Sequence, residues 1–179
     1  MGVTVLNLDD KLLLQFVQVI ASDPAIRMPS VVKTKARPDE LEARLVPCEP
    51  HPRAKQNNCW FNCRSAAASM SGGSVVFGWH VFKMDWVDGP VSFAAGHHAV
   101  VERNGAMVNV TPQIDSHGQL LAGATLFVPD SRVPFDYEGL RTVPALHWSP
   151  ATKEKFWSTA IMDPLNGKLL AFHVLNLNS

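Results

Sequence analysis

The residues best suited to chemistry are a cysteine, a histidine and an asparagine that follow one another along the chain. Cys59 lies in the segment Asn58-Cys59-Trp60-Phe61-Asn62-Cys63, and His98 and Asn109 lie on either side of an Asn104-Gly105 pair. Cys-His-Asn is a known arrangement for nucleophilic catalysis, in which the imidazole takes the thiol proton and the amide orients the imidazole. These residue types therefore predict a thiol nucleophile with its own base.

The Asn-Gly pair predicts a β-hairpin with a two-residue turn, because both turn positions favour a positive φ. Side chains alternate along a strand, and counting from the turn places His98 and Asn109 on one face of the hairpin. There they are diagonal neighbours, about 7–8 Å apart at the backbone. His97 points to the opposite face, and a slip of one residue in register would exchange the two histidines.

Cys59 is placed at the predicted start of a helix over residues 59–70, where the helix dipole favours a thiolate. Cys63 lies one turn further on and is expected to be buried beneath the site. A helix N-terminus also offers free N–H groups, so the backbone of Cys59 is a candidate oxyanion donor. Side chains that would hold an oxyanion or line a substrate groove are Gln56, Asn57, Asn58, Trp60, Asn62 and Trp79. The tryptophans are better suited to the core, and Asn62 is equally suited to a structural hydrogen bond within the helix.

The elements that must position these residues follow from hydrophobic spacing and turn signals. The spacing predicts helices over 9–21, 39–45, 59–70 and 150–161, and a loop over 131–150. It predicts strands over 74–86, 91–94, 96–102, 107–112, 123–128 and 168–177, the last entered by a turn at Asn166-Gly167. Helices that precede a mostly antiparallel sheet are typical of an α+β fold.

Composition limits the classes of protein to consider. The chain has 179 residues, zero formal net charge and 46% apolar residues, which predicts one domain over 1–179 and argues against nucleic acid or an anionic membrane as partner. Three cysteines, an odd number, indicate free thiols in a reducing, cytoplasmic setting. No signal peptide or membrane span is predicted, and delivery elsewhere by another route stays open.

Several short motifs resemble the papain-like and transglutaminase-like superfamily, including small uncharacterised bacterial proteins with a Cys-His-Asp/Asn pattern. They are Cys59-x-x-Asn62, Gly72-Gly73, Gly78-Trp79, His98 and the strand Met107-Val108-Asn109-Val110-Thr111-Pro112. Transglutaminase-like proteins usually have Asp where this chain has Asn109, the amide used by papain-like enzymes. The signature around papain's own cysteine is absent, so a papain-type endopeptidase is not implied.

This resemblance implies a helix bearing the cysteine, packed on a mostly antiparallel sheet. Outside it, the sequence pattern predicts a helical part over 1–50 and a C-terminal loop, helix and strand over 131–179. The resemblance itself covers the cysteine helix and the His/Asn hairpin, over roughly 56–130. It implies a hydrolase or acyltransferase that acts on an amide bond of a peptide, a protein or a small amide through an acyl-thioester, as a peptidase, amidase or glutamine deamidase. No cofactor is expected.

Two other classes of function remain as alternatives. The first is a zinc site built from Cys59, Cys63 and the histidines His80, His97 and His98. Adjacent histidines on a strand point to opposite faces, so they are poorly placed to share one ion, and no metal is predicted. The second is a binding protein of the same fold without catalytic activity.

Overall fold

The computed structural model describes residues 7–27, 41–84, 89–113, 123–134, 142–163 and 169–175 and shows an α+β fold. Two α-helices occur within these ranges, α1 (Lys11–Ser22) and α2 (Cys59–Ser69). The strands are β1 (Ile26–Arg27), β2 (Arg44–Pro47), β3 (Ser74–Met84), β4 (Ser92–Arg103), β5 (Ala106–Val108), β6 (Ala124–Pro129), β7 (Val133–Pro134), β8 (Thr142–Trp148), β9 (Lys155–Met162) and β10 (Leu169–Leu175).

Eight of these strands form one sheet in the order β10-β9-β8-β4-β3-β6-β2, with β5 also paired to β4. Its strand ladders are antiparallel, and β1 pairs with β7 in a separate two-stranded ribbon. A parallel bridge joins Cys48, just after β2, to Asn109, just after β5. The bridge connects the far edge of the sheet back to β5, so β4, β3, β6, β2 and β5 close into a ring.

The ring gives the sheet an inner and an outer face. Val46, Val100 and Phe127 are buried together on the inner face, with Val76 and Met107 packed against them. Residues of β3 and β4 that alternate with the inner ones, including Trp79 and Ala99, belong to the outer face. Both helices pack there: α1 joins the cluster that contains Trp79, and α2 joins the cluster that contains Ala99.

Helix α1 forms because Asp10 caps its first turn, accepting from the Leu12 N–H at 2.9 Å, and because its apolar residues recur at helical spacing. Its buried face consists of Leu13, Phe16, Val17, Ile20 and Ala21. Arg132 fixes its C-terminal end: it donates to the carbonyls of Ile20 and Ala21 and forms a buried ion pair with Asp130. The Trp79 indole also donates to Asp130, at 2.8 Å.

Gly78, on the inner face, occupies a position that requires glycine. A Cβ on Gly78 would lie 2.2 Å from the carbonyl oxygen of Val128 and 2.6 Å from the ring of Phe127. Gly78 pairs with His98 across β3 and β4, so the missing side chain lets the Phe127 ring lie 6.3 Å from the His98 ring, edge to face.

Most of the predicted elements are present, although the strand predicted over 107–112 ends at Val108 and continues only as the bridge at Asn109. Four predictions are wrong. The strand predicted over 91–94 and the first hairpin strand are one strand, β4. Residues 41–43 are not helical and 44–47 form β2, which contradicts the helix predicted over 39–45 (39 and 40 lie outside the described residues). The loop predicted over 131–150 contains β7 and β8, and the helix predicted over 150–161 is mostly β9.

The last two errors share a physical cause. Prolines at 144 and 150 indicated loop and helix start, whereas the aromatic and β-branched residues of 155–162 favour a strand. A tight turn over 149–154, with Lys153 at φ 60°, joins the two strands. The strand predicted over 168–177 is present as β10, and Asn166-Gly167 lies outside the described residues.

Candidate active site

The hairpin has the register that its turn predicts. Glu102 pairs with Met107 and Arg103 with Ala106, around Asn104 at φ 53° and Gly105 at φ 79°. His98 and Asn109 are therefore on the same, inner face. His98 Nε2 and Asn109 Oδ1 are 3.1 Å apart, and both side chains are buried.

Neighbouring groups determine which way the Asn109 amide points. The backbone N–H of Thr111, which can only donate, lies 3.1 Å from Oδ1, and Nδ2 donates to the hydroxyl of Thr125 at 2.8 Å. Because Oδ1 is an acceptor, the hydrogen of His98 must be on Nε2. The neutral ring then has its lone pair on Nδ1, which is the atom able to accept a proton.

His98 is held as a neutral imidazole. Burial lowers its pKa to about 4, and the hydrogen bond with Asn109 opposes part of that shift. His80 lies beside it, with ring centroids 5.4 Å apart, and burial followed by the charge of His98 lowers the pKa of His80 as well. Gln113 Nε2 is 3.2 Å from Nδ1 of His80. At neutral pH the site therefore contains uncharged imidazoles.

His97 faces the other way, as the register predicts. Its ring stacks on Phe77, with centroids 5.9 Å apart, and meets the edge of Trp79 at 5.4 Å. Burial and the charge of His98 lower its pKa to about 4, and Asp130 opposes the shift.

Cys59 lies beside a gap in the strand pairing along one edge of β4. On that edge β4 pairs with β8 only over 93–96 and with β5 only over 101–103. The β8 ladder stops at Ala145, next to Pro144, which has no N–H to donate. The N-terminus of α2 packs at this interval: the backbone of Ala99, adjacent to His98, hydrogen-bonds to the Cys59 thiol.

The Cys59 thiol is protonated in the resting protein. Burial raises its pKa, and hydrogen bonds from the backbone of Ala99, Trp60 and Cys59 itself oppose the shift. The backbone N–H groups of Trp60 and Cys59 are at the start of α2, where N–H groups have no partner inside the helix. Cys63 is fully buried one turn further on, as expected, and burial also raises the pKa of its thiol.

Cys59 and His98 line one cavity of about 400 Å³. Its walls are formed by Gln56, Asn57, Cys59, His80, Phe82, Gly96, His97, His98, Thr111, Pro112, Gln113, Val143, Ala160, Met162 and Leu169. Gly96, Val143 and Ala160 belong to the face that carries His98, as the strand pairing shows. The cavity thus lies on the inner face, and Cys59 borders it although α2 packs on the outer one.

The structure brings two of the six other candidate residues, Gln56 and Asn57, to this cavity. Asn62 fixes the loop that carries Gln56. Its side-chain amide accepts from the N–H of Lys55, donates to the carbonyl of Lys55, and also donates to the Thr111 hydroxyl at 3.1 Å.

The remaining three candidates lie elsewhere. Asn58 occupies the N-cap position of α2 without a side-chain capping bond, and the Trp60 ring stacks on Phe77 at 5.0 Å. Trp79 is fully buried in the main core.

The sequence did not identify several residues of the cavity. Gln113 belongs to no motif, His80 is singled out by sequence only as a possible zinc ligand, and the strands that contribute Val143 and Ala160 are predicted as loop and helix. The β-branched and aromatic residues of 142–148 and 155–162 are the sequence signals that indicate these strands.

Within the described ranges, no three His, Cys, Asp or Glu side chains are grouped so that they could hold a metal ion. Cys48, Cys59 and Cys63 are free thiols. Neither α1 nor α2 is long and apolar enough to cross a membrane.

Comparisons with models of known protein families, with curated proteins and with solved structures find no match.

Proposed function

We propose that this chain is a papain-like or transglutaminase-like domain that cleaves or transfers the acyl group of an amide through an acyl-thioester on Cys59. The observation that carries the proposal is the His98–Asn109 hydrogen bond at 3.1 Å, beside a cavity that Cys59 also lines. Further support comes from the helix that begins at this cysteine and packs on an antiparallel sheet. The substrate is a peptide, a protein or a small amide.

In the proposed reaction His98 Nδ1 takes the thiol proton as Cys59 Sγ attacks the amide carbonyl carbon. Asn109 keeps the proton on Nε2 and holds the ring in place. The tetrahedral intermediate carries a negative oxygen, for which the N–H groups at the start of α2 and the Gln56 amide are candidate donors. Its collapse breaks the C–N bond, and the amine leaves with the proton from His98. Water or another nucleophile then releases the acyl group.

The Cys59 thiol and the His98 imidazole are both neutral before substrate binds. The proposed mechanism is therefore general-base catalysis and does not begin from a thiolate–imidazolium pair. The raised pKa of Cys59 and the lowered pKa of His98 leave the proton on sulfur until substrate binds. The same raised pKa favours the alternative of a binding protein that does not catalyse.

Alkylation of Cys59 by iodoacetamide distinguishes these two possibilities. The rate at Cys59, followed by mass spectrometry at pH 7, is expected to fall at least tenfold in His98→Ala. The exposed His173 on β10 supplies the matched control, His173→Ala, which should keep the wild-type rate. If Cys59 reacts no faster than a free model thiol and the rate is the same in His98→Ala, the nucleophile is not activated and the binding alternative is correct.

A further inference from the structure

The cavity beside Cys59 has two chemically different ends. The end near Cys59 is polar, with Gln56, Thr111, Gln113, His80 and His98. The part of the wall that comes from strands β8, β9 and β10 is the apolar end, with Val143, Ala160, Met162 and Leu169, and Phe82 of β3 lies between the two ends, its ring 3.8 Å from the His80 ring. A pocket with an apolar body and a few polar groups at one end is typical of a small-molecule or side-chain binding site.

No Asp, Glu, Lys or Arg is among the described residues that line this cavity. A charged substrate group at the apolar end would lose its hydration without gaining an ionic partner, which is costly. An apolar group of the same size would gain free energy by leaving water.

Some of the apolar wall is open to solvent where a ligand would enter. Phe82 is 45% exposed and Leu169 is 51% exposed, although both are large and apolar. A Cβ on Gly96, which lies on β4 between β3 and β8, would meet only the Phe82 ring, at 4.0 Å, so there is room in the cavity beside this glycine.

We propose that the substrate places an uncharged, apolar chain or side chain in this end of the cavity while its carbonyl lies at Cys59. This inference rests on the proposed function and adds the substrate class. The apolar group provides binding free energy away from the reacting carbon, and that binding positions the carbonyl against the thiol.

Three alkylating reagents test the inference without knowledge of the natural substrate. They are iodoacetamide, N-hexyl iodoacetamide and the same six-atom chain ending in a carboxylate, each compared at Cys59 and at free glutathione. Each buried methylene is worth up to a factor of about four. We expect the hexyl reagent to gain at least tenfold over iodoacetamide at Cys59, relative to glutathione, and the carboxylate reagent to lose that gain.

A cavity-filling variant tests whether the hexyl group binds at the apolar end of the cavity. Ala160→Phe should reduce the ratio of the hexyl rate to the iodoacetamide rate at least threefold, whereas Ala151→Phe, the same change at an exposed turn, should leave both rates unchanged. Circular dichroism checks that each variant is folded. The comparison of the three reagents on the wild-type protein does not depend on the variants.

The possible failures have different meanings. Equal normalised rates for the hexyl and carboxylate reagents, with alkylation still dependent on His98, would overturn the apolar inference and leave the proposed function standing. Alkylation independent of His98, or no alkylation of Cys59 by any of the three reagents, would contradict the proposed function itself.

Discussion

Replacing Asn109 by aspartate tests the arrangement around His98 most informatively, because it changes one partner of the imidazole from neutral to charged with little change in shape. Asn109 Oδ1 already accepts from His98 and from the Thr111 N–H. The second oxygen of an aspartate would face the Thr125 hydroxyl, now 2.8 Å from Nδ2, and that hydroxyl can rotate to donate.

The size of the effect follows from the distance. A carboxylate 3.1 Å from the imidazole nitrogen would stabilise the imidazolium by about 5 kcal/mol at an effective dielectric constant of about 20. That value is a ceiling, because the carboxylate must itself be buried, and neighbouring opposite charges typically shift a pKa by about 1–3 units. The pKa of His98, about 4 in the wild type, should rise to between about 5 and 7.

NMR titration of the His98 ring protons measures this shift without any assay of activity. The matched control is Asn104→Asp, which makes the same change of charge at the exposed hairpin turn and should leave the His98 titration where it is. If His98 in Asn109→Asp titrates at the wild-type pH while the variant remains folded, the two side chains are not hydrogen-bonded and the orientation derived for Asn109 is wrong.

Three further predictions concern stability, each measured by denaturant unfolding. Gly78→Ala should lower the free energy of unfolding by about 1–3 kcal/mol, because its Cβ would overlap backbone, whereas Gly96→Ala, which has open space, should change it little. Arg132→Met should cost about 3–5 kcal/mol, since it leaves the buried Asp130 carboxylate without its ion pair. Stability should decrease as pH falls from about 6.5 to 4, and His97→Gln should make that decrease smaller.

The sign of the pH effect follows from the two buried histidines of β4. Their pKa values, about 4, lie below the ordinary value of 6.5, so between those pH values the unfolded chain binds more protons than the folded one. The stabilisation is fully present above pH 6.5 and is lost as pH falls towards 4, on the order of 3 kcal/mol for each histidine. A free energy of unfolding that is constant from pH 6.5 to 4 would contradict this burial.

The parts of the site predicted from sequence are those that local chemistry determines. The Asn104-Gly105 turn fixes the hairpin register by itself, and that register separates His98 from His97. The alanine-rich segment after Cys59 is helical because helix propensity and tertiary packing agree there.

The rest depends on contacts distant in sequence, which the chain alone does not reveal. Closure of the ring requires the Cys48–Asn109 bridge, between residues 61 positions apart. The apolar end of the cavity requires β9 and β10 to extend the sheet beyond β8, and the turn before β9 begins with a Ser-Pro pair that also suits a helix start. Tertiary pairing overrides the local signal in that segment.

Trapping the acyl-enzyme is the most direct test of the proposed use of Cys59 and His98. The protein would be mixed with an activated acyl ester, quenched in acid and digested, and the acylated peptide identified by mass spectrometry. The expected result is an acyl group on Cys59 that forms and is released in the wild type, and that forms at least tenfold more slowly in His98→Gln. Acylation of Cys59 at the same rate in both proteins, or an acyl group found only on other residues, would contradict the mechanism.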